Sequence, residues 1–224
     1  MKTRIKIDLT LLFFIIGLTL ILCLFPQLYS RNEFFENIMD VFGIMMIFKG
    51  TFFRMSARAH KKFNSQSGQV LVEDGPYAFV RNPMYLGSLL IGLGFTLILW
   101  PWWGWLIFAV LFYWRFGIQI AKEETYLQQT FGQQFLDYCQ KVPRLFPRIT
   151  NLNFRKSKEM FCSAGLWSTQ EKWGLVAWPI LTFVFEIMQE RMLFGVNHFR
   201  LTFFIFLSAW IFCILGLMVF CQRT

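Results

Sequence analysis

The chain has 224 residues, 56% hydrophobic, 20% aromatic and only 16% charged, with a net charge of +9. A soluble domain of this length carries about 25% charged residues and fewer phenylalanines than these 29, so that class is excluded. The positive balance needs no nucleic-acid partner, because basic residues beside a bilayer face anionic lipid head groups.

Leu9–Phe25 opens the chain as an uncharged run long enough for a hydrocarbon core of about 30 Å. "MKTRIK" precedes it and "PQLYSRNEF" follows without a small-residue cleavage site, so the run is expected to be a retained anchor. Ile38–Phe53 carries Asp40 and Lys49 and is expected as a helix buried among partners. The segment 54–83 follows, with "NSQSGQ" as a loop and "VLVEDGPY" as an extended stretch entering a turn. Met84–Trp100 and Trp102–Ile120 form a hairpin around "WPWWGW", whose tryptophans suit a membrane interface. Trp173–Met188 and Leu201–Cys221 complete six spans.

Charge placement orients them. With the amino terminus in the cytoplasm, residues 1–8, 54–83, 115–172 and the carboxyl tail are cytoplasmic and hold 18 of the 22 Lys and Arg. The expected architecture is all-α: a multi-pass transmembrane helical bundle of about six spans with both termini cytoplasmic. In a bacterium this is the inner membrane.

After the fourth span the chain continues as a helix from Ala121. Leu127, Phe131, Phe135 and Tyr138 recur at spacings of four, four and three, an amphipathic stripe for the bilayer surface or for the bundle. "VPRLFP" stops it, and Asn151–Lys172 reads as a polar connector. Five scattered cysteines without a CxxC, and His60 and His198 on opposite sides, leave no metal centre or disulfide framework to expect.

Two stretches carry chemistry. In "GPYAFVRNPMYLG" (75–87), Asn82 and Pro83 are a helix-start pair, the asparagine side chain being expected to accept from the first free amides. The start of that span aims partial positive charge at the cytoplasmic boundary, and Arg81 adds a full one, so an anion is expected there. Glu123 and Glu124 follow the antiparallel fourth span and return to the same face as Arg81 and Tyr85. An anion-binding end and an acidic end at one boundary suit a zwitterion.

"GPYAFVRNPMYLG", the hairpin, and "EETYLQQTFGQQFLDYCQKVPRLFP" together resemble the isoprenylcysteine carboxyl methyltransferase and phospholipid methyltransferase family over roughly residues 66–148. The resemblance implies a cytoplasmic-face site for S-adenosyl-L-methionine and a lipid-like acceptor drawn from the bilayer. It divides the chain into N-terminal helices (1–65), a cofactor-binding core (66–148) and a connector with a C-terminal hairpin (149–224). Cofactor contacts are expected at Gln69, Val70, Leu71, Val72, Tyr77, Asn82, Pro83, Met84, Tyr85 and Glu123. Arg81, Tyr85 and Glu124 are the expected catalytic set, and Gln119 and Arg115 the expected substrate contacts. Asn82 stands where the family has a histidine, which removes a protonatable group. Gln119 stands where prenylcysteine-directed members have an arginine, which weakens that particular acceptor. Two alternatives stay open: "YCQKVP" is similar to NADPH-dependent sterol reductases, and a non-catalytic membrane scaffold would keep the same fold.

Overall fold

The computed structural model describes residues 13, 16–22, 24–28, 33–65, 68–148, 173–194 and 199–222. Among them every regular element is helical: α1 (16–22), α2 (Glu33–Asn64), α3 (Pro83–Leu99), α4 (Gly104–Phe131), α5 (Gln133–Lys141), α6 (Gly174–Phe194) and α7 (Phe199–Gln222). Short 3-10 turns occur at Pro26–Leu28 and Gly75–Ala78. The expected connector Asn151–Lys172 and most of the first half of Leu9–Phe25 lie outside the described residues.

One helix runs further than expected. α2 does not stop at Phe53 but continues to Asn64, through residues expected in a cytoplasmic segment. Met55–Lys62 contains neither glycine nor proline, so nothing local ends the helix there. Its 32 residues are about 48 Å long at about 1.5 Å per residue. α4 passes Ile120 without a break and ends at Phe131, as the helical continuation from Ala121 leads one to expect, so Glu123 and Glu124 are carried on one continuous rod.

α2 and α3 pack antiparallel along glycines. A Cβ on Gly43 would lie 2.8 Å from the Gly94 carbonyl oxygen, and one on Gly50 would lie 2.6 Å from that of Gly87. The reverse contacts are as tight, 2.5 Å for Gly94 and 2.6 Å for Gly87. Seven-residue spacing puts each pair two turns apart on one helix face, so the backbones themselves touch.

α4 buries every fourth residue from Gly104 through Phe108, Phe112 and Phe116 to Ile120. Phe108 fills the space over Gly92 of α3, and the rings of Phe112 and Phe116 stack at 4.3 Å. The opposite face, including Val110 and Trp114, is exposed. α6 and α7 close the bundle through Phe95–Trp178, Phe183–Phe206 and Phe48–Trp210 ring contacts at 5.5–5.9 Å. The indole of Trp100 donates to Thr19 Oγ1 (2.8 Å), tying α1 to the far end of α3.

Among the described residues, α4 is the one helix both long and apolar enough to cross a membrane by itself. Pro83–Leu99, Gly174–Met188 and Phe204–Leu215 are apolar but shorter. α2 contains Asp40, which is buried, and Lys49, which is exposed.

Gly132 separates α4 from α5 at φ 54°, ψ −124°, a conformation open to glycine and strained for residues with a Cβ. Beyond it the amphipathic stripe packs on the chain itself: Phe135 and Tyr138 are buried with Leu71 and Val142, against Leu127 and Phe131. Gly132→Ala is expected to cost roughly 1–3 kcal/mol, read as a lower thermal midpoint in detergent.

Candidate functional site

The site forms where α3 begins and α4 leaves the bundle. Asn82 occupies the N-cap position with Pro83 at the first helical position, as expected, but its side chain does not cap. Its amide instead donates to Glu124 Oε1 and to the Arg144 carbonyl oxygen, both at 3.1 Å. A carboxylate and a fixed carbonyl lie within reach of the amide, and the charge-assisted bond outweighs an ordinary cap. The Asn82 carbonyl accepts the amides of Tyr85 and Leu86 at 3.1 Å.

Neighbouring residues on a helix point about 100° apart, so Glu123 and Glu124 meet different partners. Glu123 Oε1 accepts the Tyr85 hydroxyl (2.7 Å) and, one turn earlier on its own helix, the Gln119 amide (3.3 Å). Tyr85 is itself held edge-on by Phe116, at 5.5 Å between centroids. Glu124 lies between two guanidinium groups: Arg81 Nη1 is 3.6 Å from Oε1 and Arg144 Nε is 2.9 Å from Oε2. The Arg144 contact is close enough for an ion pair but is not aligned as a hydrogen bond. Glu124 thus faces two guanidinium groups, while Glu123 beside it is held by neutral donors.

Arg81 is fixed from several sides. Its amide donates to the Pro143 carbonyl oxygen (2.9 Å) and its Nη1 meets the Cys139 thiol. Its side chain is only 16% exposed, and its Nε is buried without a hydrogen-bond partner. A buried donor of this kind is costly unless an acceptor arrives.

The turn before α3 is pinned at both ends. His60 Nε2 lies 2.8 Å from Asp74 Oδ1, and the imidazole occupies the space over Gly75, where a Cβ would be 2.6 Å from the ring. Gly75 has φ 58°, which a residue with a Cβ resists. From the other side the Tyr138 hydroxyl donates to the Tyr77 carbonyl oxygen at 2.7 Å. Burial, reinforced by the neighbouring Tyr77, pushes the Tyr138 phenol well above its ordinary pKa, so it stays a protonated donor.

The structure therefore brings together Arg81, Asn82, Tyr85, Gln119, Glu123 and Glu124 from among the expected site residues. Pro83 is buried, and Met84 and Tyr77 are half-buried beside them. Leu71 and Val72 are buried, with Leu71 under the α5 stripe, whereas Gln69 and Val70 are exposed. Arg115 joins none of these hydrogen bonds or ion pairs among the described residues. Gln119 is committed to Glu123. Sequence reasoning missed Arg144, Tyr138 and His60. Arg144 sits in "VPRLFP", read as a helix stop and as the close of the family pattern but given no role in the site, although a cation returning to the Glu123–Glu124 face was a usable signal.

The groups present fit S-adenosylmethionine by their chemistry. The orphaned Arg81 Nε and the start of α3 suit its carboxylate, and Glu123 and Glu124 suit its ammonium or ribose hydroxyls.

The sequence profile of the phospholipid methyltransferase family matches residues 9–134, more than half of the chain. The chain is similar to protein-S-isoprenylcysteine O-methyltransferase of Schizosaccharomyces pombe, with 38% identity over 80 residues, 36% of this chain and 34% of that protein. It is similar to protein-S-isoprenylcysteine O-methyltransferase B of Arabidopsis thaliana, with 33% identity over 114 residues, 47% and 58% of the two chains. The Saccharomyces cerevisiae protein-S-isoprenylcysteine O-methyltransferase is 30% identical over 128 residues, 53% and 54%. The chain thus spans between about a third and three fifths of these relatives. No solved structure matches it.

Proposed function

The chain belongs to the phospholipid methyltransferase family, and from that premise we propose that it is an integral-membrane enzyme moving a methyl group from S-adenosyl-L-methionine to a lipid-like acceptor. Six spans with both ends cytoplasmic are part of the proposal, supported by the basic residues gathered on the side of the Glu123–Glu124 cluster. The observation that carries it is the convergence of Tyr85 on Glu123 (2.7 Å) and of Asn82 and Arg81 on Glu124, across 38–43 positions of chain.

In this reading Arg81 takes the methionyl carboxylate, with the α3 start adding its partial positive charge. Glu123, oriented by Tyr85 and Gln119, takes the ammonium or a ribose hydroxyl. The half-buried Tyr77 and Met84 offer apolar surface to the adenine, whereas Leu71, Val72 and Pro83 are buried in the protein and offer none. When bound, the cofactor supplies an electrophilic sulfonium methyl, and the protein supplies position and electrostatics. Alignment of two bound reactants is worth roughly 7–11 kcal/mol of barrier. A carboxylate or thiolate acceptor needs no general base, whereas a protonated amine does, and Glu124 holds the position to accept that proton. The arginines on either side of Glu124 hold its carboxylate in place.

Calorimetric titration of the purified chain with S-adenosylmethionine tests the reading. One saturable site is expected, weakened about tenfold by Tyr85→Phe through loss of one charge-assisted hydrogen bond, and further by Glu123→Ala. Absence of saturable binding, or equal affinity in all three proteins, sinks it. Labelled methionine fed to cells with and without the gene, followed by mass spectrometry of their lipids, identifies the acceptor.

A further inference from the structure

A shallow groove of about 640 Å³ runs along the outer face of α4, away from the bundle. Its walls are Val110, Tyr113, Trp114 and Ile118, and Arg144 closes one end. Gly117 opens the floor: a Cβ there would meet no atom within 4 Å. From Ala109 to Ile118 the groove is about 13 Å long, and its one charged lining residue is a cation. Val110 and Trp114 are 69% and 68% exposed, so nothing within the described chain covers this face.

Arg144 is shared between groove and site. Its Nε touches Glu124 without hydrogen-bond alignment, its carbonyl receives Asn82, and its side chain remains 38% exposed. A guanidinium has five donors, so one unaligned carboxylate leaves it capacity for a second anion. Gln119 offers no charge of its own and is spent on Glu123.

We infer that this groove docks the acceptor lipid, with one hydrocarbon chain along α4 and an anionic group, phosphate or carboxylate, on Arg144. The inference rests on the methyltransferase reading and adds to it the class of acceptor and the residue that selects it. Predominantly apolar walls favour a hydrocarbon chain, and a lone cation at the polar end favours an anionic head group over a purely cationic one. The bound head group lies against Glu124, next to the residues assigned to the cofactor, so recognition and reaction share one boundary.

The test uses the full chain in neutral detergent, titrated with dioleoyl phosphatidic acid or dioleoyl phosphatidylcholine and read by native mass spectrometry. S-adenosylmethionine binding is measured on the same preparations. Wild type is expected to retain phosphatidic acid in preference to phosphatidylcholine. Arg144→Ala is expected to reduce that retention about tenfold, and Arg144→Lys to recover part of it. Gly117→Trp, which fills the groove and leaves Arg144 unsubstituted, is expected to reduce it comparably. Equal retention of the two lipids by wild type overturns the inference. So does undiminished phosphatidic acid retention in both Arg144→Ala and Gly117→Trp. Loss of cofactor binding alone defeats the methyltransferase reading, while retention that still depends on Arg144 and Gly117 supports the groove.

Discussion

Glu124→Ala is expected to destabilise the folded chain by roughly 3 kcal/mol, because it strands two guanidinium groups around an emptied position. Arg81 and Glu124 are 16% and 17% exposed, so water replaces the lost carboxylate poorly on that side. Arg144 is 38% exposed and recovers more of its hydration, which places the cost at the low end for a broken buried pair. Asn82 loses one of its two acceptors as well. In a chain of this size about 3 kcal/mol corresponds to a midpoint lower by roughly 6–12 °C. Glu124→Gln keeps an acceptor oxygen for Asn82 and removes only the charge, so a smaller shift is expected. Thermal unfolding of both variants in detergent checks the order, and identical midpoints for wild type and Glu124→Ala would show that the cluster holds nothing together.

The second large effect belongs to the α2–α3 seam. Gly87→Leu places a Cβ 2.6 Å from the Gly50 carbonyl oxygen, and backbone cannot rotate away as a side chain can. The helices must separate along the seam, which also loosens Gly43 against Gly94. Overpacking of this kind typically costs about 1–3 kcal/mol, and the parting of two backbones places it at the upper end. Helix propensity pulls the other way by about 1 kcal/mol, since leucine is a better helix former than glycine, and it loses. The seam also sets the start of α3: Arg54 Nη1 reaches Ser88 Oγ one residue past Gly87, three positions from Tyr85. Gly87→Leu is therefore expected to reduce both folded yield and cofactor affinity. Gly117→Ala, on the open face of α4, is expected to change neither. Size-exclusion recovery and calorimetry on the same samples distinguish the two outcomes.

Much of the site was legible. The Asn82–Pro83 start, Arg81 and the Glu123–Glu124 pair were placed on one face because a hairpin of two apolar runs returns the chain to where it began. Tyr85 was placed with them because it lies three residues into α3, hence almost one turn in and on the same end. The Asn82 side chain was misassigned for a physical reason. Capping is what a helix start offers by default, but a carboxylate arriving from α4 is a stronger acceptor. The α2 boundary was misplaced because hydropathy reports where a bilayer ends, and a helix stops only where its own backbone is interrupted. Arg144 was overlooked because prolines on both sides of it made the segment read as punctuation.

What the sequence determined by itself was the helical class, the antiparallel return of α4 beside α3, and the charges meeting at one end. Each of these follows from periodicity, apolar length or residue order, which are properties of neighbouring positions. Only the tertiary structure decided that Tyr85 orients Glu123, that Arg81 and Arg144 flank Glu124, and that glycines let α2 and α3 touch. Those pairings depend on separations of about 3 Å between groups tens of residues apart, and no local pattern encodes a distance that the packing of whole helices sets.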